Sequence, residues 1–224
     1  MSQPVGDPVD ARPAQKPGPV TLQGRYGRLE KLNAARHAAG LWEALRGHDE
    51  VWAYLFHGPF SERRDFDAYV EMFAAREDPY AYAIIDREGR TAGFATLMEI
   101  RPANRVVEVG NILYSPKLQR TPLATEVQYL LARYAFEELG NRRYEWKCNS
   151  LNEPSRRAAL RFGFTFEGIF RQHMIVKGRN RDTAWFAMTD HEWPARKAAF
   201  EAWLTPANFD DEGRQKKKLE AFRG

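Results

Sequence analysis

Glu108–Glu126 reads EVGNILYSPKLQRTPLATE, and Asn149–Phe164 reads NSLNEPSRRAALRFGF. Each stretch carries the end of a strand round a corner into a helix. The first N–H groups of a helix point outward without intrahelical partners, and the aligned peptide dipoles favour negative charge there. Such a corner is a ready anion site. Two of them in succession, with Asn152 and Ser155 at the mouth of the second, suit a long cofactor that carries phosphate.

Outward from this centre, the apolar periods set the element order. A short strand is expected near Tyr26–Leu32, then a helix over about 34–46 with Leu41, Trp42 and Leu45 at helical spacing and Gly47 as its stop. A second helical stripe joins Phe66, Tyr69, Val70 and Phe73. The period then shortens: AYAIID, REGR and TAGFATLMEI read as a hairpin, and VVEVGNILYS follows as a third strand. Thr125–Leu139 is expected as an amphipathic helix, RRYEWKCN as a strand and Pro154–Arg161 as a short helix. Two long strands turned by KGRN and a terminal helix from Pro194 complete the chain. Mixed strands and helices with a β-α-β-α centre predict an α/β single domain with helices on both faces of the sheet. The expected divisions are a flexible proline-rich leader over 1–22, a domain over 23–193, and a helix with a charged, solvated tail over 194–224.

Composition narrows the class. The chain has 224 residues, 43% of them hydrophobic, enough for a substantial core. Its net charge of +4 comes from 34 basic residues interleaved with 30 acids, so a dedicated nucleic-acid binder is disfavoured while a polyanionic cofactor fits. The lone Cys148 sits in the Tyr144, Trp146, Cys148 alternation and reads as a buried, inert thiol. A cytoplasmic protein is expected, because no apolar run reaches the ~18 residues of a membrane span. The five histidines show no metal-ligand spacing, and neither a G-x-S-x-G elbow nor a phosphate-loop motif is present.

The chain resembles the Gcn5-related N-acetyltransferases (GNAT), and within them the RimJ/RimL-type branch. The resemblance spans about Gly24–Trp193 and rests on three stretches: NEPSRRAALRFGF, QRTPLA at 119–124 where the family carries Q/R-x-x-G-x-G/A, and Glu108 eleven residues before Gln119. It implies a GNAT-like mixed, mostly antiparallel sheet and an acetyl-CoA-dependent N-acetyltransferase. The acetyl group would pass directly to a primary amine in a ternary complex, without a metal. The implied partners are acetyl-CoA and an amine acceptor, a protein N-terminus or a small molecule. No membrane is implied, and a homodimer is left open.

Carried over residue by residue, the resemblance places backbone groups of Ile112, Leu113 and Tyr114 along the pantetheine arm. It places Gln119, Arg120, Thr121, Leu123, Ala124 and Thr125 around the pyrophosphate, Asn152 on a pantetheine amide, and Arg161 toward a terminal phosphate. Two departures stand out. Pro122 occupies the first glycine position and has no N–H, so Thr121 or Arg120 must replace one contact. Ala159 stands where many relatives carry a tyrosine general acid, which leaves Ser155 as the nearest hydroxyl.

Glu108 lies in the otherwise apolar RVVEVGNIL, where burial needs a partner or a purpose. It reads either as the general base for the substrate ammonium or as a paired, structural carboxylate. Ser155 reads as proton donor, thiolate binder or helix cap. Two rival functions remain: a non-catalytic acetyl-CoA-sensing module, favoured by Pro122 and Ala159, and a ribosome- or RNA-associated binding protein, favoured by the basic KGRNRD turn.

Overall fold

The computed structural model describes residues 3–223. A single eight-stranded sheet runs through the protein in the order β1-β2-β3-β4-β5-β6-β8-β7. Its strands are β1 (Leu22–Gln23), β2 (Gly27–Lys31), β3 (Tyr80–Asp86), β4 (Thr91–Arg101), β5 (Val106–Tyr114), β6 (Arg143–Asn149), β7 (Thr165–Val176) and β8 (Arg179–Thr189). Every neighbouring pair is antiparallel except β5 and β6. The mixed α/β single domain with a mostly antiparallel sheet is therefore as the sequence implies.

Among the described residues five α-helices cover the two faces: α1 (Ala34–Leu45), α2 (Arg63–Ala75), α3 (Pro122–Arg133), α4 (Glu153–Phe162) and α5 (Trp193–Trp203). β3 explains why both faces must be covered, since nearly all its residues are buried and its sequence is continuously apolar. Tyr80, Tyr82 and Ile84 join the core beneath α3 and α5, while Ala81, Ala83 and Ile85 join the core beneath α1 and α2. Alternation along one strand thus serves two separate cores.

Some boundaries differ from expectation, each for a local reason. α3 opens at Pro122 rather than Thr125 and ends in a π-wound turn over Tyr134–Glu138. The leader does not hang free throughout. Ala14 N–H bonds Pro102 O, Gln15 N–H bonds Leu139 O, and Gly18 lies between the hydroxyls of Tyr134 and Tyr82. The tail also departs from a solvated one. Leu219 is buried, and Arg223 donates to the carbonyls of Leu160 and Arg161 at the end of α4, the former shared with the Gly163 N–H. Lys216–Lys218 remain exposed, as their charge predicts. No helix among the described residues is long and apolar enough to cross a membrane.

Candidate active site

β5 and β6 run side by side only where Val106–Val109 pair with Arg143–Trp146. Beyond that the strands part. β5 stays on β4, with Leu113 opposite Phe94, and β6 stays on β8 as far as Asn149 opposite Thr183. The wedge has a local cause: Asn111 adopts φ 46°, and the register with β4 slips between Phe94 and Thr96. This is a β-bulge, which bends its strand. Thr96 Oγ1 donates to Gly110 O (3.0 Å) and accepts from Asn111 Nδ2 (3.2 Å), fixing the distortion. A Cβ at Gly110 would meet Met98 Sδ, so any larger residue there would have to displace that thioether. Backbone edges facing a departed neighbour lack ladder partners. The wedge therefore has hydrogen-bonding walls, 110–114 on one side and 147–149 on the other.

The first helix corner follows the C-terminal end of β5, where the wedge is open. Gln119 Nε2 donates to Tyr114 O (3.2 Å), while the N–H groups of Gln119 and Thr121 bond Ser115 O and Leu118 O. Thr121 is the N-cap of α3: its Oγ1 accepts from Ala124 N–H at 3.2 Å and donates to Leu118 O at 2.7 Å. Proline at the next position costs nothing, since that N–H has no helical partner in any case. The Thr121 hydroxyl is thus occupied and does not replace the amide that Pro122 lacks. Of the expected cradle, the amides of Gln119, Thr121 and Ala124 are bonded internally. Those of Arg120, at φ 63°, and Leu123 have no partner among the described residues.

The other residues expected to meet the cofactor divide between the two faces of the sheet. Ile112 is half-buried, and the Leu113 side chain belongs to the core under α1 and α2. Tyr114 tucks beneath α3, accepting from Gln128 Nε2 at 2.7 Å. Arg161 is half-buried rather than on an open helix face. Its Nη1 donates to Thr125 Oγ1 (3.0 Å), its guanidinium lies 5.0 Å from the Trp203 ring, and burial lowers its pKa.

At the second corner Asn152 is the cap, its Oδ1 accepting from Ser155 N–H at 3.1 Å. Ser155 therefore does not cap α4. Its Oγ instead accepts from Trp146 Nε1 (3.0 Å) and lies beside Cys148. Burial pushes the Cys148 thiol up, with Ser155, Arg181 and Arg156 opposing, so the thiolate is scarce.

Glu108 lies deeper along the wedge, on the face toward α1 and α2. It is 5% exposed, and Lys147 Nζ is 2.8 Å from its carboxylate. Burial raises its pKa to about 7 against the opposing pull of Lys147. Glu145, on the same face, meets Lys147 at 3.0 Å, Arg143 at 2.7 Å and Arg101. Burial raises its pKa, but these bonds outweigh it and hold the carboxyl below its ordinary value. Glu108 and Glu145, neighbours across the parallel pair, are thus driven apart in basicity. A carboxylate that titrates near neutrality can take a proton from an ammonium and give it up again.

A segment between α1 and α2 crosses this face. Trp52 and Phe60 belong to the aromatic core with Phe66 and Tyr69, and Trp42 packs on Phe66. Tyr54 and Phe56 reach farther. The Tyr54 hydroxyl donates to Leu151 O, the Phe56 ring lies 5.1 Å from the Arg181 guanidinium, and Lys177 Nζ donates to Trp52 O.

An acetyltransferase (GNAT) domain model matches residues 28–165. The chain belongs to the GNAT family. A GCN5-related N-acetyltransferase from Brucella melitensis is 50% identical, with a TM-score of 0.93 over 95% of this chain and 97% of its own. A GNAT-family chain from Chromobacterium violaceum is 40% identical, with a TM-score of 0.80 over 86% of this chain and all of its own. YdaF of Bacillus subtilis, named provisionally as a ribosomal N-acetyltransferase, is 29% identical over 49% of this chain. That alignment spans 60% of YdaF, short of its full length.

Sequence reasoning missed Lys147, Trp146 and Arg181. A signal for the first was available: Glu145 and Lys147 alternate with Tyr144, Trp146 and Cys148, so they share the face opposite the core residues. The same alternation does not tell which distant segment covers that face.

Proposed function

We propose that this GNAT protein is an acetyl-CoA-dependent N-acetyltransferase that moves the acetyl group to a primary amine in a ternary complex. The observation that carries the reading is the wedge between β5 and β6, bounded by the corner at 119–125 and by Asn152 and Ser155. Its residues fit the cofactor. Arg120 and Leu123 offer unpartnered amides at a helix N-terminus, the wedge walls offer unpaired backbone groups, and Arg161 stands beside Thr125. Acetyl-CoA, when bound, supplies the acetyl group as a reactive thioester.

The protein's own residues do the rest. Glu108 accepts the proton of the incoming ammonium, since burial raises its proton affinity, and with a pKa of about 7 it can still pass that proton to solvent afterwards. Lys147 and the wedge walls hold Glu108 in place. Ser155, oriented by the Trp146 indole, donates a hydrogen bond where a leaving thiolate would form. Fixing both reactants removes several kcal/mol of the barrier by positioning alone, on the order of 5 kcal/mol or more. Cys148 takes no covalent part.

The acceptor class includes protein N-termini and small amines, and the likeness to YdaF, provisionally a ribosomal N-acetyltransferase, favours a ribosomal acceptor. RimJ/RimL-like activity in the cytoplasm, with an amine acceptor as the main partner, is part of this reading. The test is release of free thiol from acetyl-CoA across a panel of amines and short peptides. Turnover with any amine, lost in the Glu108 variant described below, supports the reading. Tight acetyl-CoA binding with no release from any amine defeats it in favour of a sensing module.

A further inference from the structure

Arg181, Thr183 and Trp185 lie on one face of β8, since alternate residues share a side. Across the ladder Thr183 is opposite Asn149 and Trp185 opposite Lys147, so this row borders the wedge on the Glu108 side. Arg181 is only 7% exposed. Its Nε donates to Thr183 Oγ1 at 3.2 Å, and its guanidinium stacks near Phe56. Its Nη groups donate to no described residue, and no described carboxylate forms an ion pair with it. Burial lowers its pKa, with Cys148 and Glu108 near enough to oppose the shift.

A second unpartnered donor sits in the same row. Trp185 Nε1 is buried without a hydrogen-bond acceptor, while its ring lies between Lys147 Nζ (4.1 Å) and Phe170 (4.5 Å). The neighbouring acids are already engaged, Glu108 by Lys147, and Glu145 by Lys147, Arg143 and Arg101. A buried donor without an acceptor, as Trp185 Nε1 is, is costly unless a ligand oxygen completes it, while the Arg181 Nη groups are not among the fully buried orphan atoms and stay open to a ligand. A guanidinium fork matches the two oxygens of a carboxylate in its plane, which a single ammonium does not.

We propose that the amine acceptor carries a carboxylate, bound by Arg181 with help from the Trp185 indole, while its amino group lies toward Glu108. This rests on the N-acetyltransferase reading above. The carboxylate could belong to a free amino acid or to an acidic residue opening a peptide, and the experiment separates the two. Wild type, Arg181→Gln and Arg181→Lys are assayed for kcat/KM on matched pairs: a free amino acid against its carboxamide, and a peptide opening with Asp against one opening with Asn.

In at least one pair, wild type should prefer the carboxylate by about tenfold or more, the range of a charge-assisted hydrogen bond. Arg181→Gln should collapse that ratio toward unity, chiefly through KM, and Arg181→Lys should retain part of it. Melting temperatures and acetyl-CoA affinity are measured alongside. Ratios near one in wild type for both pairs would overturn the proposal. So would an equal loss on both members of a pair, or a matching loss of acetyl-CoA affinity. Should no amine react, the N-acetyltransferase reading fails by itself. Calorimetric binding of an N-acetyl amino acid against its carboxamide then decides: an Arg181-dependent preference upholds the carboxylate site, and no preference sinks it.

Discussion

Glu108→Gln separates catalysis from stability because the same burial acts on both. With a pKa raised to about 7, Glu108 is about a tenth ionised at pH 6 and about nine-tenths at pH 8. Turnover limited by its basic form should therefore rise about tenfold between those values. The glutamine variant should lose that rise and fall by about a hundredfold or more near pH 8, the usual contribution of a general base. Stability should move the other way. A carboxyl whose folded pKa lies above its ordinary 4.5 favours the fold fully below that value, and the contribution is lost as pH rises through about 7. Ionised Glu108 thus costs on the order of 3 kcal/mol above neutrality, which glutamine avoids. Lys147 would keep Glu145 at 3.0 Å, so the variant leaves no orphaned ammonium, although the lost pair offsets part of the gain. The assays are thiol release from about pH 5.5 to about pH 9 and thermal melts across the same range. A variant with an unchanged pH–rate profile, or one that melts lower at high pH than at low pH relative to wild type, would refute the assignment.

Thr121→Asp keeps an N-cap acceptor but brings a negative charge beside the proposed phosphate corner. Its melting temperature should hold, while acetyl-CoA affinity falls about tenfold; undiminished affinity by calorimetry would place the cofactor elsewhere. Ser155→Ala should lower kcat by about tenfold with little change in acetyl-CoA affinity, because the lost donor acts where thiolate charge develops; equal loss in both would make it a binding contact. Cys148→Ala should retain turnover within about threefold, and mass spectrometry should find no acetylated enzyme; abolished turnover in a folded variant would overturn direct transfer.

Periodicity revealed the β-α-β-α centre because its elements are long and strongly patterned. The start of α3 was also legible, in chemistry that a motif match obscured. Thr121–Pro122 is an N-cap followed by an N1 proline, and its reading as a broken glycine motif moved the helix start to Thr125. The splay of β5 from β6 is not legible locally, because the bulge depends on Asn111 and on Thr96 from another strand. Lys147, Arg181 and the Phe56 crossing were hidden for the same reason. Each owes its role to contacts across long stretches of chain, which local spacing does not encode. The docked tail was missed because its anchors are a lone buried leucine, Leu219, and the arginine Arg223, a sparse apolar signal amid charge.

Four paired positions, Val106–Val109 against Arg143–Trp146, are the whole strand ladder between the β1–β5 wing and the β6–β8 wing of the sheet. A seam that short makes any molecule lying in the gap a mortar between two halves of the fold. Each such occupant adds to the free energy of unfolding in proportion to the logarithm of its concentration over its dissociation constant. On the acetyl-CoA reading proposed above, the thermal resistance of this protein is tied to the supply of that metabolite, so that the same chain would be a sturdier object in a well-fed cell than in a starved one.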